Sequence, residues 1–444
     1  MNISIIGTGY VGLVSGVCLA SRGHQVACVD IDDSKIQRIN NGDPPIHEDG
    51  LEELLRQTLG NNNLKATTQL DKAVHESDVS IIAVGTPFDG QAIDLSVIRQ
   101  VSRNLGRALA SKTGYHVVAV KSTVVPGTTE EVVLPILEEA SGKLAGRDFG
   151  VGMNPEFLRE GVAVKDFLDP DRVVIGGIDA RTQTVLAELY SVFPGVDIVK
   201  TTTRTAEMIK YATNSLLATL ISFSNELANL SSSVGGIDIA DVMKGLHLDR
   251  RLNPISSDRS RTSPGILSYL KPGCGFGGSC FPKDVKALIA HGQRVGQPMS
   301  ILQSVIDTNE KQPLKMLDLL KKHHRDLRDL NVAVLGLAFK PGTDDIRESP
   351  AIPILRELLG GGAKVKAFDP VAAPAMEELF SGESMSYHSQ LDETIDGVQA
   401  VLVVTSWPEF SDLPLRLSAD TLLIDGRGIF EKASVRRYEG IGIA

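Results

Sequence analysis

Ten residues, GFGGSCFPKD at 275–284, carry the most distinctive chemistry in this chain. Cys280 stands in a turn packed with glycines, immediately before a predicted helix start at Pro282, a residue suited to the first helical turn. The glycines would let a bound molecule approach the backbone, and the helix N-terminus would favour a thiolate at Cys280. A buried structural cysteine is the commoner role for a lone thiol, but a GxGGxC turn is an unusual place for one, so Cys280 reads as a nucleophile. Asp284 follows one helical turn on. The other cysteines, Cys18, Cys28 and Cys274, lack paired CxxC spacing, which argues against a zinc site or a disulfide scaffold and for a reducing compartment. Cys18 and Cys28 fall in a predicted helix and strand and read as small buried hydrophobes.

GTGYVG at 7–12 has the glycine spacing of a dinucleotide turn. Gly7 permits the turn, Gly9 lets the backbone approach a pyrophosphate, and Gly12 allows close helix packing. Asp30, at the end of the next predicted strand, would accept from the ribose hydroxyls and repel a 2′-phosphate, so NAD is expected rather than NADP. In EMIKYATN (207–214), Lys210 and Asn214 share one face of a predicted helix, where they could steady negative charge on an oxygen or simply be solvated. NPEFLREG (154–161) puts Glu156 and Glu160 on a strand-end loop, suited to acid–base work, although acidic loop residues are usually just solvated. KSTVVPGT (121–128) is a similar turn with hydroxyls expected to be exposed. Lys340 and Arg347 in KPGTDDIRESP, with Arg427 in IDGRG, are candidates for phosphate contacts.

These groups need a scaffold of more than one domain. With 444 residues, 42% hydrophobic and 23% charged, the composition is that of a soluble globular protein of roughly two to four domains. The net charge of −10, without a basic block, argues against nucleic acid. The apolar N-terminus lacks a basic leading segment, and no apolar run reaches membrane-spanning length, so no signal peptide, no membrane and a cytoplasmic location are expected.

The first 31 residues read as strand, glycine turn, helix and strand, and the apolar strands VSIIAVGTP, HVVAVKST, FGVGM, RVVIGG and VDIVK alternate with helical patterns. That implies a parallel sheet covered on both faces, in a domain at 1–200. A long helix is predicted over 205–234, opening a helical segment at 201–312 suited to dimerisation or to simple burial. A second doubly wound unit at 313–444 starts with NVAVLGLAFK, where Gly336 and Asp369 echo Gly7 and Asp30. The fold class is therefore α/β, with two Rossmann-like doubly wound parallel-sheet domains joined by a long central helix.

Taken in order, GTGYVG, KST, NPEFLREG, EMIKYATN, GFGGSCFPKD, FKPGTDDIRES and IDGRG resemble the UDP-glucose/GDP-mannose dehydrogenase family over essentially the whole chain. The resemblance implies NAD-dependent, four-electron oxidation of a nucleotide-sugar C6 alcohol to a carboxylate, in a homodimer or higher homo-oligomer whose dimer core is the long helix. It implies that Cys280 captures the aldehyde as a thiohemiacetal, that Lys210 and Asn214 stabilise oxyanions, that Thr123 and Asp284 orient water, and that Glu156 is an acid–base residue. Around NAD it places Gly7, Gly9, Tyr10, Val11, Gly12, Asp30, Lys35, Thr86, Thr123, Glu160 and Arg347. Around the sugar nucleotide it places Glu156, Phe157, Leu158, Glu160, Lys210, Asn214, Gly277, Cys280, Phe281, Phe339, Lys340 and Arg427, with no metal.

The segment between His247 and Gly275 is extended relative to the family and rich in Arg, Ser and Pro. In the family this region approaches the partner subunit's substrate site, which makes Arg250, Arg251, Arg259 and Arg261 candidates to reach across. UDP-glucose is the expected substrate, with GDP-mannose or another nucleotide sugar as the alternative. A two-electron β-hydroxyacid dehydrogenase would share the glycine turn and a helix-borne Lys and Asn, but needs no thiol. A nucleotide-sensing scaffold would have no need of Cys280, Lys210, Asn214 and Asp284 together.

Overall fold

A computed structural model describes residues 1–443, and the chain divides into two compact units between Thr213 and Asn214. The first unit holds strands β1 (Asn2–Ile6), β2 (Gln25–Val29), β3 (Leu64–Thr67), β4 (Val79–Ile82), β5 (His116–Val120), β6 (Phe149–Met153), β7 (Arg172–Gly177) and β8 (Asp197–Thr201). They form one sheet in the order β3-β2-β1-β4-β5-β6-β7-β8. Alternation along the strands feeds two cores: Ile3, Ile5, Val117 and Ala119 on one face, and Ile6, Val118 and Val120 on the other. Both faces are buried, as near-continuous apolar strands require.

One pairing departs from the expected all-parallel sheet: β6 and β7 run antiparallel, through Gly152 with Gly177 and Met153 with Gly176. The contact depends on glycine, because a Cβ at Gly152 would stand 2.8 Å from the Gly176 carbonyl oxygen. β7 then pairs in parallel with β8.

The second unit holds β9 (Asn331–Leu335), β10 (Lys364–Phe368), β11 (Met385–Tyr387), β12 (Ala400–Val403), β13 (Leu422–Asp425) and β14 (Tyr438–Gly440). Their order is β11-β10-β9-β12-β13-β14, parallel throughout, which is the doubly wound arrangement. Its core draws in Ala228, Ile239 and Met243, so helical residues that precede the sheet in sequence pack with it.

The long helix runs Thr203–Val234 and includes the point at which the units divide. Thr213, Thr219, Ser224 and Ser231 each return a hydroxyl to the carbonyl four residues earlier, so polar residues are tolerated inside an apolar helix. Gly235 and Gly236, with φ of 74° and 70°, end it in a conformation that favours glycine. Among the described residues no helix is long and apolar enough to cross a membrane, and no cluster of three or more His, Cys, Asp or Glu could hold a metal ion.

Candidate functional site

The glycine turn lies where the strand order reverses, between β1 and β4, the position at which such sheets bind ligands. A Cβ on Gly12 would fall 1.9 Å from the Gly7 carbonyl oxygen, whereas Gly9 is exposed with open space above it. Asp30 accepts from the Thr8 N–H at 2.8 Å and the Thr8 hydroxyl at 2.7 Å through one oxygen. Burial alone would raise the Asp30 carboxyl; these hydrogen bonds, the Asp32 N–H and the Lys35 charge outweigh it and hold the group below its ordinary value. An open glycine backbone at a helix N-terminus beside an ionised Asp30 suits a pyrophosphate and a ribose diol, so the turn fits NAD. Tyr10 and Val11 begin the helix, half-buried, and Lys35 sits in the first turn of the next helix beyond its Asp32 cap.

Farther along the same sheet, β6 delivers the 154–161 loop. Glu156 and Lys210 form an ion pair at 2.8 Å with side chains only 6% and 3% exposed, so Glu156 is no solvated loop acid. Burial pushes the Glu156 carboxyl up, but Lys210, the Leu158 N–H and Lys121 prevail, and it lies below its ordinary value. Two cations lie near the Phe157 ring, with the Arg172 guanidinium 4.1 Å and the Lys210 ammonium 5.6 Å from its centre. Glu160 and Leu158 are half-buried.

The 121–128 turn differs from expectation. Ser122 is buried and donates to the Val84 carbonyl at 2.7 Å, because the turn runs along the end of β4; Thr123 is half-buried, and its carbonyl accepts from the Thr86 hydroxyl at 2.7 Å. Two groups here escaped the sequence analysis. Lys121 is buried against Asn154, at 3.1 Å, and burial pushes its ammonium down to about 8. Glu207, on the long helix, accepts from the Gly127 N–H at 2.6 Å and from the Thr129 N–H and hydroxyl at 2.8 and 2.7 Å.

In the second unit Cys280 is half-buried at the N-cap of the helix Phe281–Arg294, with Pro282 in its first turn. Its carbonyl accepts the Asp284 N–H at 2.8 Å. Asp284 is buried, receives the Asn214 amide at 2.6 Å and pairs with Lys283 at 2.6 Å. The turn's glycines are required by the packing of the chain itself. Cβ atoms on Gly277 and Gly278 would lie 2.1 Å from the Glu348 carbonyl oxygen and 2.7 Å from the Phe339 ring, and one on Gly275 2.8 Å from Asn309. Phe281 packs edge-on to Phe276, with ring centres 5.9 Å apart.

The cations of this unit are differently engaged. Arg347 chelates Asp345 at 2.8 and 2.7 Å, and the Lys340 ammonium lies 5.5 Å from the Phe339 ring. Arg427 donates to the Val404 and Gly275 carbonyls at 2.6 and 3.1 Å, leaving a buried Nη2 without a hydrogen-bond partner among the described residues. Arg251 pairs with Asp249 and Arg261 bonds the Leu248 and Asn253 carbonyls, while Arg250 and Arg259 are exposed. Asp369 repeats the Asp30 position but is saturated: it takes the Leu337, Ala338, Val371 and Ala372 N–H groups and the Trp407 indole. It has no capacity left for a ribose.

Three family models match in sequence along the chain. They describe the NAD binding domain (residues 1–194), the central domain (204–311) and the UDP binding domain (333–432) of UDP-glucose/GDP-mannose dehydrogenases. The UDP-glucose 6-dehydrogenase AglM of Haloferax volcanii is 43% identical over 99% of this chain and all of its own length. The GDP-mannose 6-dehydrogenase of Pseudomonas aeruginosa is 40% identical over the same shares of the two chains. A UDP-glucose dehydrogenase structure from Pyrobaculum islandicum has a TM-score of 0.91 at 38% identity, covering 100% of this chain and 98% of its own. The glycine turn, the two doubly wound sheets and these full-length matches agree: the chain belongs to the UDP-glucose/GDP-mannose dehydrogenase family, NAD-dependent enzymes that act on nucleotide sugars.

Proposed function

We propose that this enzyme oxidises the C6 alcohol of UDP-glucose to the carboxylate of UDP-glucuronate, with Cys280 as the covalent anchor. The observation that carries the reading is Cys280 at the N-cap of a 14-residue helix, where the dipole favours negative charge, one turn from the Asp284–Asn214 pair. NAD held at the glycine turn would supply the hydride acceptor for the substrate carbon. Glu156, ionised beside Lys210, takes the proton of the C6 hydroxyl as the alcohol becomes an aldehyde. Cys280 adds through sulfur to that aldehyde, so the intermediate stays attached as a thiohemiacetal until a second two-electron oxidation, for which a second NAD would be the oxidant, makes a thioester. Lys210 and Asn214 stabilise the oxygen that carries charge in each adduct. Thr123 and Asp284 orient the water whose attack breaks the C–S bond and returns the thiol.

Gly7, Gly9, Tyr10, Val11, Gly12, Asp30, Lys35, Thr86 and Thr123 are proposed to hold NAD, with Glu160 and Arg347. Phe157, Leu158, Gly277, Phe281, Phe339, Lys340 and Arg427 are proposed to hold the sugar nucleotide; the unpaired Arg427 Nη2 is a donor in search of an acceptor. Arg250 and Arg259 are favoured over Arg251 and Arg261 to reach a partner subunit, since the latter two are engaged within their own segment. UDP-glucose is preferred on the likeness to AglM, and GDP-mannose is the second reading because a dehydrogenase for it is almost as similar. Cys280→Ser is expected to abolish acid formation while NAD binding is retained. Undiminished acid production by that variant would refute the covalent route.

A further inference from the structure

Glu48 has no part in the reaction above, yet it is buried, 7% exposed, where the glycine turn and the 154–161 loop meet. One of its oxygens accepts both the Tyr10 hydroxyl and the Gly161 N–H, the latter at 2.7 Å; the other accepts the Ala163 N–H at 2.6 Å. The Gly161 N–H also reaches the Tyr10 hydroxyl oxygen, at 3.0 Å. Tyr10 is the first helical residue after GTG, and Gly161, with φ of 83°, ends the loop that carries Glu156 and Glu160. Burial, then Glu48 itself and Glu160, push the Tyr10 phenol up, so it stays a donor. Every group named here faces Glu48 as a donor, which calls for a carboxylate: an amide would turn its own N–H groups toward one of them.

We propose that Glu48 is a positioning residue that couples the NAD turn to the substrate loop, so that filling either one changes affinity at the other. The proposal rests on the reading that residues 7–12 take NAD and residues 154–161 take the nucleotide sugar. Such coupling is reciprocal, and typical couplings change affinity by about 5-fold to 150-fold.

The test uses NADH, which binds without turnover beside UDP-glucose. Its dissociation constant is read from its fluorescence with and without saturating UDP-glucose, and that of UDP-glucose by calorimetry with and without NADH. The wild type is expected to give the same ratio in both directions, at least about 5-fold. Glu48→Gln is expected to bring that ratio close to one while each ligand still binds alone. Tyr10→Phe, which removes one donor and keeps the carboxylate, is expected to fall between and carries the test if Glu48→Gln does not fold. A wild-type ratio of one, or a folded Tyr10→Phe or Glu48→Gln variant with the wild-type ratio, overturns the proposal alone. A wild type that binds NADH but neither UDP-glucose nor GDP-mannose overturns the functional reading as well.

Discussion

Lys210 and Glu156 form an ion pair at 2.8 Å with both side chains almost wholly buried. Two charges withdrawn from water this completely are held by each other, and removing one leaves the other uncompensated. Lys210→Met is therefore expected to lower unfolding free energy by about 3–5 kcal/mol as well as abolish turnover. The Lys210→Met/Glu156→Gln double variant should recover much of the stability and none of the activity. Urea unfolding of the wild type, Lys210→Met, Glu156→Gln and the double variant checks this; a double variant as unstable as the two single losses summed would mean that the pair is not coupled.

Glu207 gives a signed pH dependence. Burial pushes its carboxyl from an ordinary 4.5 up to about 7, against hydrogen bonds from Thr129 and Gly127 that lower it. The native state then binds more protons than the unfolded chain between those values, so the contribution of Glu207 is fully present below about 4.5 and is lost as pH rises to about 7. The stability of the wild type relative to Glu207→Gln should fall across this window and level off above it. Unfolding at a series of pH values measures the slope, and a flat difference would assign the burial cost elsewhere.

We propose the exposed apolar face of the long helix as the contact with a second copy of the chain. Leu216, Phe223 and Leu230 recur every seven residues and are 53%, 45% and 58% exposed, a seam that two helices could share. Phe223→Glu combined with Leu230→Glu is expected to convert a sedimenting dimer to a monomer. An unchanged mass would remove this face from the interface.

Much of this architecture was legible because its signals are local. Alternating apolar strands and helices gave both sheets, and the helical spacing of apolar residues over 205–234 gave the long helix. Weaker strands escaped: β3 is four residues with an exposed Lys65, and β11 and β14 have three residues each. The antiparallel β6–β7 contact depends on a tertiary approach at Gly152 that no local pattern announces. Placements such as Asp30 just past a strand and Cys280 just before a helix could be read directly from the motifs. The burial of Glu156 and the partners of Glu48, Lys121 and Glu207 could not, since each is fixed by segments distant in sequence.

A four-electron oxidation anchored on Cys280 fixes the stoichiometry of the reaction. Purified protein with excess NAD and limiting UDP-glucose, run beside GDP-mannose, gives the NADH formed per sugar consumed. Two NADH per UDP-glucose are expected, with the carboxylate as the sole sugar product. One NADH per sugar, with a free carbonyl product, would contradict it.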